Sequence, residues 1–356
     1  MGFILASHIK WYIIKGDTLK YELRYEEIYE MIKKGKKISF VDMRSPKEFN
    51  DYKIPGAINL PILNDYEREI VGRTYVKESV DKAKYLGINF AKDKLPSFYE
   101  KIIELTKTYD EVILYCSRGG YRSHVFFSFL RSLGIDVKKL IGGYKSYRKY
   151  IHDNLASLIR EKEFIVLCGK TGVGKTEILN KLKSAYPVLN LEELANHRGS
   201  IFGGIGLTQQ PSQKYFESLL FEALDNDKKI FFTEGESSKI GNIQLPKILI
   251  EKISSGRKII IEDEIDSRIK RIKRDYNLSD RDEIYKSLLE IKKFISSEKE
   301  KLYLEKFQEV DYDFLIRDLL INYYDPHYKK NYSKDDLHLA NNSAVIKNIL
   351  NFKNSI

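Results

Sequence analysis

Two short segments carry residues that could do chemistry, and each sits where a strand-like run gives way to a glycine-rich turn. The first is Cys116-Ser117-Arg118-Gly119-Gly120-Tyr121-Arg122-Ser123. A thiol between the end of a strand and the start of a helix meets converging backbone N–H groups, whose partial charge favours a thiolate. Arg118 and Arg122 add formal positive charge, and the paired glycines let the backbone curl closely around the sulfur. Such a cradle suits a catalytic Cys116 that meets an incoming oxyanion, with Arg118 and Arg122 as its partners. A buried cysteine beside a structural turn is the blander alternative, but it does not account for arginines at both +2 and +6.

The second segment, Gly169-Lys170-Thr171-Gly172-Val173-Gly174-Lys175-Thr176, fits G-x-x-x-x-G-K-[ST] in full. In such a loop Gly169, Gly172 and Gly174 present N–H groups to a diphosphate, Lys175 neutralises it and Thr176 could hold Mg²⁺. A Walker-B acid should follow a later strand. Ile230-Phe231-Phe232-Thr233-Glu234 and Ile259-Ile260-Ile261-Glu262-Asp263 both offer one, and the sequence does not choose between them. Nor does the loop distinguish ATP from another pyrophosphate ester. Two polar loops could support it. Leu194 to Gly203 contains His197, Arg198 and Ser200, which suit a further phosphate, and the loop after Glu234 contains Glu236, Ser237 and Lys239. Taken singly, each also reads as ordinary loop polarity.

The elements that must position these residues follow the hydrophobic pattern. Glu111–Tyr115 and Phe164–Cys168 are short, apolar and β-branched, as buried parallel strands should be. Helical patterns follow each, over Tyr121 to Leu133 and Thr176 to Tyr186, so both halves read as α/β. A chain of 356 residues suits two domains at roughly 100–200 residues apiece. The expected division is an extension over 1–20, a first domain over 21–145 and a linker helix over 146–162. A phosphate-loop domain over 163–276 follows, then a helical region over 277–356 with no strand-like run. The linker carries apolar Tyr147, Ile151, Leu155, Leu158 and Ile159 and has no Pro/Gly/Ser-rich character.

Composition narrows the class. With 42% hydrophobic residues the chain is folded rather than disordered. Its +10 formal charge favours polyanionic partners, nucleic acid first, although a lysine-rich surface also serves solubility. Arg268, Lys270, Arg271, Lys273 and Arg274 fall on one presumed helix and could track RNA phosphates, or simply form a solvated face. Two cysteines cannot build a disulfide framework and show no metal-ligand spacing, so a reducing, cytoplasmic setting is expected. The apolar stretch Phe3 to Ile14 is broken by His8 and Lys10 and falls short of the ~20 residues that span a bilayer. It lacks a small-residue cleavage site, so neither a signal peptide nor a membrane partner is expected.

Cys-x5-Arg after a strand resembles the active-site loop of rhodanese domains. More of that pattern stands at Phe40-Val41-Asp42-Met43-Arg44-Ser45-Pro46-Lys47-Glu48-Phe49, Ile54-Pro55-Gly56-Ala57-Ile58-Asn59-Leu60-Pro61 and Leu140-Ile141-Gly142-Gly143-Tyr144. Lys53 stands where rhodaneses often carry a histidine. With the phosphate loop, the Ala195-to-Gly203 segment, Glu236 to Gly241 and Tyr323-Tyr324-Asp325-Pro326-His327-Tyr328, the chain resembles the tRNA 2-selenouridine synthases from about Tyr25 to about Tyr332. Ser117 replaces a tryptophan of many members, and Gly235 a usual serine.

The resemblance implies a rhodanese-like domain followed by a P-loop NTPase-like parallel-sheet domain with a helical C-terminal region. It implies a transferase, both selenotransferase and tRNA geranyltransferase, that converts wobble 2-thiouridine to 2-selenouridine through S-geranyl-2-thiouridine. Geranyl diphosphate and selenophosphate would be the co-substrates, with Mg²⁺ a candidate at Thr176. The partners would be the anticodon stem-loop of tRNA and a selenophosphate-supplying enzyme, not DNA. Whether Cys116 carries selenium or only assists its entry stays open. Two other classes also stay open. One is a rhodanese–kinase fusion, an ATP-dependent sulfurtransferase for a small molecule. The other is a degenerate rhodanese that only binds, against which the intact cysteine and both arginines speak.

Overall fold

The computed structural model describes residues 21–235, 237–328 and 336–354. The Phe3 to Ile14 stretch, the extension over 1–20 and Glu236 lie outside them. The chain divides into two units, residues 1–151 and 152–356.

In the first unit the alternating signals become β1 (Glu22–Leu23), α1 (Tyr25–Lys33), β2 (Ile38–Asp42), α2 (Pro46–Asp51), β3 (Ile58–Asn59), α3 (Asp65–Lys77), α4 (Val80–Ala91) and α5 (Leu95–Thr108). Then come β4 (Glu111–Tyr115), α6 (Tyr121–Ser132), β5 (Lys138–Leu140) and α7 (Gly143–Arg160), a helix within which the division of the chain falls. The strands form one sheet in the order β1-β5-β4-β2-β3, with every pair parallel. β4 is central, and all of it after Glu111 is buried, as a run with helices on both faces must be. Val41, Ile102, Leu114, Phe126 and Leu130 make the core around it. On α7, Tyr147, Ile151, Leu155 and Ile159 are buried, whereas Leu158 is half-exposed.

The Phe40-to-Phe49 motif hides a structural cation. The Arg44 side chain is fully buried, with its Nη2 2.6 Å from Asp42 Oδ2. Its guanidinium lies over the rings of Tyr52 and Tyr144, at 5.0 and 4.7 Å. A buried charge needs this much compensation.

The second unit contains β6 (Glu163–Cys168), α8 (Lys175–Leu182), β7 (Val188–Leu189), α9 (Leu191–Ala195), α10 (Gln213–Leu224), β8 (Ile230–Glu234), β9 (Lys239–Ile240) and β10 (Ile243–Gln244). α11 (Lys247–Ser255), β11 (Arg257–Glu262) and α12 (Ile265–Asp275) complete the part around the phosphate loop. α13 (Arg281–Ile291), α14 (Ser297–Gln308), α15 (Tyr312–Leu319) and α16 (Asp325–His327) follow, then β12 (Leu337–Ala340) and α17 (Val345–Asn354). Its five-stranded sheet runs β12-β11-β6-β8-β7, again all parallel, with β6 central. β9 and β10 form a separate antiparallel hairpin.

The expectation of a region beyond 277 without strands fails at Leu337–Ala340. This segment pairs with β11, Ile259 opposite Leu337 and Ile261 opposite Leu339, and so extends the sheet by one edge strand. Four residues with a single Leu-x-Leu alternation give too little pattern to separate a short edge strand from loop. Between α12 and β12 the helices build their own core from Ile284, Leu288, Ile291, Tyr303, Phe307, Leu315 and Leu319, and Ile205 from the His197 segment joins it. Among the described residues no helix is long and apolar enough to cross a membrane.

Candidate active site

Cys116 follows the last residue of β4 and is 3% exposed. Ser123 Oγ donates to its Sγ at 3.2 Å, and the Sγ lies 3.8 Å from Gly120 O. Two carbonyls of the turn are held from behind by the start of α7: Tyr144 N donates to Cys116 O at 2.8 Å and Lys145 N to Ser117 O at 3.0 Å. That close approach explains Gly143. A Cβ there would stand 2.2 Å from Cys116 O, and its φ of +59° disfavours other residues. The N–H groups of Ser117, Arg118, Gly119 and Gly120 donate to no acceptor among the described residues. Unsatisfied donors around a thiol are what an oxyanion cradle requires.

The two arginines differ. Arg118 is exposed. Arg122 is a paired cation. It forms an ion pair with Glu48 on α2, Nη2 to Oε1 at 3.3 Å, and Glu48 also takes Arg68 at 3.1 Å. Burial alone would raise the Glu48 carboxyl, but the hydrogen bonds and charge of Arg122, with Arg68, hold it below the usual carboxylate range. Glu48 therefore stays ionised and fixes Arg122, at the cost of part of its field. Helix α2 begins at Pro46, and Glu48 reaches back to Ser45 N at 3.3 Å, so the motif that starts the helix also sets the carboxylate.

The phosphate loop follows central β6 in the same way, and helix α8 opens at Lys175. Gly169 has φ of +147° and Gly174 φ of +92°; a Cβ would meet Ile261 O at 2.4 Å in the first and Asn341 at 2.6 Å in the second. Lys175 Nζ donates to Gly169 O at 2.9 Å, which curls the side chain over its own loop. Gly169 N donates to Tyr328 Oη at 2.5 Å and Asn341 Nδ2 to Val173 O at 2.7 Å. Thr176 Oγ1 donates to Glu192 Oε2 at 2.9 Å, and Glu192 N donates to Glu234 Oε1 at 2.8 Å.

Of the acids the sequence left open, buried Glu234 is the one joined to Thr176 through Glu192. Asp263 pairs with Arg271 at 2.9 Å, and exposed Glu262 lies 3.2 Å from His338. Among the described residues no cluster of three or more His, Cys, Asp or Glu could hold a metal. Thr176 and Glu192 nonetheless suit Mg²⁺, which commonly takes one or two carboxylates and leaves other positions to phosphate and water.

These residues line a cleft of about 390 Å³. Gly169, Gly172, Gly174, Lys175 and Thr176 form one side, and Arg198, Ser200, Ser237 and Arg271 contribute from elsewhere. Arg198 lies over the Tyr276 ring at 4.8 Å and donates to Ile205 O at 2.8 Å. His197 lies in an adjoining recess with Thr176 and Glu192, its Nδ1 accepting from Gly199 N at 3.2 Å. Burial, then the charge of Arg198, pushes the imidazole below its ordinary value, so it is neutral at pH 7 and leaves Arg198 as the segment's cation. Lys239 is exposed on β9 and does not line the cleft.

The Tyr323-to-Tyr328 segment supplies a brace. Asp325 takes Arg268 through two hydrogen bonds, 2.9 and 2.7 Å, and Lys170 at 3.1 Å; Arg268 Nε donates to Thr171 O at 2.8 Å.

Comparison with known proteins fits both halves. The family model described as "Rhodanese-like domain" matches residues 25–150, and that described as "tRNA 2-selenouridine synthase AAA domain" matches 162–309. A tRNA 2-selenouridine synthase of Hydrogenovibrio crunogenus is 33% identical over 88% of this chain and 95% of its own length. The chain belongs to the tRNA 2-selenouridine synthase family. The family's proteins of Nitrosomonas europaea and Pseudomonas syringae are 34% and 37% identical over 67% of this chain. The match spans 63% and 66% of their own lengths.

Within this family frame, the stripe on α12 needs correction. Arg268 is 3% exposed and belongs to the brace of the phosphate loop, not to a solvent-facing stripe. Arg271 is also committed, to Asp263, Glu177 and Gly172 O. Lys270, Lys273 and Arg274 are exposed. The helix turns its 268 and 271 positions inward because both sit one turn apart on the face that meets the loop. Sequence reasoning missed Glu48, Ser123, Glu192, Tyr276 and Asn341. Glu48 and Ser123 lay inside segments already singled out, whereas nothing local marks Glu192 or Asn341.

Proposed function

We propose that the chain converts 2-thiouridine at the wobble position of tRNA to 2-selenouridine in two steps, one in each unit. The observation that carries the reading is the pair of anion sites, a thiol turn whose N–H groups meet no acceptor among the described residues and a complete phosphate loop lined by Lys175 and Arg198. In the first step the 2-thio sulfur attacks C1 of geranyl diphosphate. The C–O bond breaks, pyrophosphate leaves with the electron pair, and N3 of the base gives up its proton. Lys175, Arg198 and the loop N–H groups stabilise the charge on the leaving group. Thr176 and Glu192 would hold Mg²⁺ if it accompanies the diphosphate.

In the second step selenium of selenophosphate attacks C2, and geranylthiolate departs and takes up a proton. Water then cleaves the Se–P bond, which gives phosphate and the 2-selenouridine. The turn around Cys116 binds the phosphate oxygens of the donor, with Arg118 near them and Arg122 set by Glu48. The Cys116 thiol assists the displacement. A basic chain with 61 Lys and Arg against 51 Asp and Glu suits tRNA as the partner, and the setting expected is the cytoplasm, beside an enzyme that supplies selenophosphate.

The test is nucleoside mass spectrometry on a 2-thiouridine anticodon stem-loop incubated with the protein. Geranyl diphosphate alone should give the S-geranyl nucleoside, and both donors together 2-selenouridine. Turnover of ATP in place of geranyl diphosphate, without any S-geranyl product, would move the assignment to the rhodanese–kinase reading.

A further inference from the structure

Beside the thiol turn stands an aromatic side chain that the chemistry described above does not use. Tyr121 opens α6 one residue after Gly120, whose O lies 3.8 Å from Cys116 Sγ, and two before Ser123, whose hydroxyl donates to that sulfur. Ser123 is fully buried, whereas Tyr121 is 60% exposed. Val125, one turn further on, is 59% exposed, so the two make an open apolar step on the helix that leads away from the sulfur. Phe129, the next residue of the stripe, stacks on buried Phe126 with ring centroids 6.1 Å apart. Tyr121 has no ring against it among the described residues, and Lys84 Nζ of α4 lies over its ring at 5.9 Å.

Cations border the same step. Arg118 and Lys145 are exposed, and neither has a carboxylate within ion-pair distance among the described residues. Lys145 N donates to Ser117 O at 3.0 Å, which sets that lysine beside the turn. Lys84 is paired only at the surface, with Asp81 at 3.2 Å, and a phosphate can displace a pair of that kind.

We infer that Tyr121 is the platform on which the wobble base stacks as it reaches Cys116, with Lys84, Arg118 and Lys145 taking the RNA phosphates around it. The inference rests on the tRNA reading given above. Cys116 is 3% exposed, so a base held in the stack of an anticodon loop is kept from its sulfur. The base has to leave its neighbours, and proteins that read single-stranded RNA replace the lost stacking with an aromatic face. A ring bordered by cations matches a base bordered by phosphates. A protein partner would ask for a broader apolar surface, because the cores of such interfaces are depleted of charge. Here exposed His124 and Ser128 interrupt α6, and three cations border the step. Stacking is tolerant of base identity, so Tyr121 sets affinity and leaves the choice of base to other groups.

The experiment uses the full chain, selenophosphate and an anticodon stem-loop carrying S-geranyl-2-thiouridine at the wobble position. Tyr121→Ala should raise the KM for the stem-loop by roughly 5- to 150-fold, the range for loss of one base–aromatic stack, with kcat little changed. Tyr121→Phe keeps the ring and should stay near the wild type. Alkylation of Cys116 by iodoacetamide reads whether the turn is intact in each variant. Filter binding across a salt series separates the two kinds of contact. Lys145→Ala should flatten the slope of log affinity against log salt by about 1, whereas Tyr121→Ala should lower affinity at every salt concentration and leave the slope as it is. A stem-loop with 5-iodouridine at the wobble position should crosslink to Tyr121 of the wild type under ultraviolet light, read by mass spectrometry of the peptides. An unchanged KM in Tyr121→Ala, or a crosslink that falls elsewhere, would overturn the platform and leave the tRNA reading standing, with the α6 face free for a protein partner. Failure of the wild type to bind any stem-loop would remove that reading, and the platform with it. The crosslink on the wild type decides the matter even if the alanine variants do not fold.

Discussion

The thiol turn and the phosphate loop are built on one plan and braced in different ways. Each follows the central strand of a five-stranded parallel sheet and leads into a helix, the position where open α/β sheets bind ligands. The Cys116 turn is held mainly by backbone close in sequence, through Tyr144 N and Lys145 N, and one ion pair steadies its arginine. The phosphate loop is held by side chains from the far end of the chain: Tyr328 on Gly169, Asn341 on Val173 and the Arg268–Asp325 pair on Thr171. The thiol turn thus needs little beyond its own loop and a glycine turn. The phosphate loop draws on a second layer, the helical region and the edge strand. Changes far from the loop should therefore damage diphosphate binding and leave the thiol site alone.

The most drastic way to test this contrast is to remove each site's own chemical group. Cys116→Ser should reduce 2-selenouridine formation to background while S-geranylation proceeds. Lys175→Ala should abolish S-geranylation, and with it selenation that starts from 2-thiouridine, because no neutral residue replaces a charge-assisted contact to a diphosphate. Supplied with tRNA already geranylated, the Lys175→Ala protein should selenate it at near the wild-type rate. Loss of S-geranylation in Cys116→Ser, or of selenation of geranylated tRNA in Lys175→Ala, would show that the two sites do not divide the labour.

Arg122 offers a sharper cut within the first site. Losing a hydrogen bond to a charged group costs roughly 1.5–3 kcal/mol, so Arg122→Ala should slow selenation by about ten- to a hundredfold. Because Glu48 holds Arg122, Glu48→Gln should lie between this variant and the wild type, with the change mostly in the KM for selenophosphate. Geranylation should be unaffected by either. If Glu48→Gln costs as much as Arg122→Ala with KM unchanged, Glu48 acts on the fold and not through the arginine.

How far the sequence announces each site follows from the same contrast. Cys116, the glycines and Lys175 are legible because a sharp turn around an anion needs those residue types at fixed spacing. The α/β class and the central strands are legible because buried parallel strands leave short apolar runs between helical patterns. Arg268 misleads, since a basic residue on a charged helix looks like a surface contact until its carboxylate appears 57 residues later. Glu192 and Asn341 are illegible for a related reason: each acts on the loop as a single polar side chain from another element, and one residue has no period. The strand at Leu337–Ala340 is too short to show its alternation. Asp325 is an intermediate case, quoted as part of a motif but without a role until Arg268 and Lys170 are seen on it.

That role can be measured. Burial would raise the Asp325 carboxyl, yet Arg268 first and then Lys170 hold it below its usual value. A carboxylate whose folded value is depressed contributes stability above its ordinary value of about 3.9, and the contribution is lost as pH falls through the folded value. Asp325→Asn should cost about 1–3 kcal/mol at pH 7, because it leaves buried Arg268 short of a charged partner. Unfolding of the variant should also change less than that of the wild type on acidification below about pH 4. The affinity for inorganic pyrophosphate should fall together with stability, and alkylation of Cys116 by iodoacetamide should not change. An equal effect on Cys116 would break the separation drawn between the two sites.

The smallest effect is expected at the exposed remnant of the α12 stripe. Lys273 is paired with Asp313 at 2.6 Å, and Arg274 with Asp275 at 2.8 Å. Lys270 is exposed and has no carboxylate within ion-pair distance among the described residues. Surface ion pairs gain little, so the paired residues can be drawn away by a phosphate, but each exchange returns only part of a new contact. A phosphate contact made by one lysine changes the slope of log affinity against log salt by about 1. Lys270→Ala should therefore weaken tRNA binding by about threefold near 150 mM salt and flatten that slope by up to ~1. Lys273→Ala should do less, and both should leave pyrophosphate binding as it is. Filter binding of the anticodon stem-loop across a salt series would check this. A loss of a hundredfold from Lys270 alone would place the tRNA on α12, and would make that helix part of the RNA site as well as of the phosphate loop's brace.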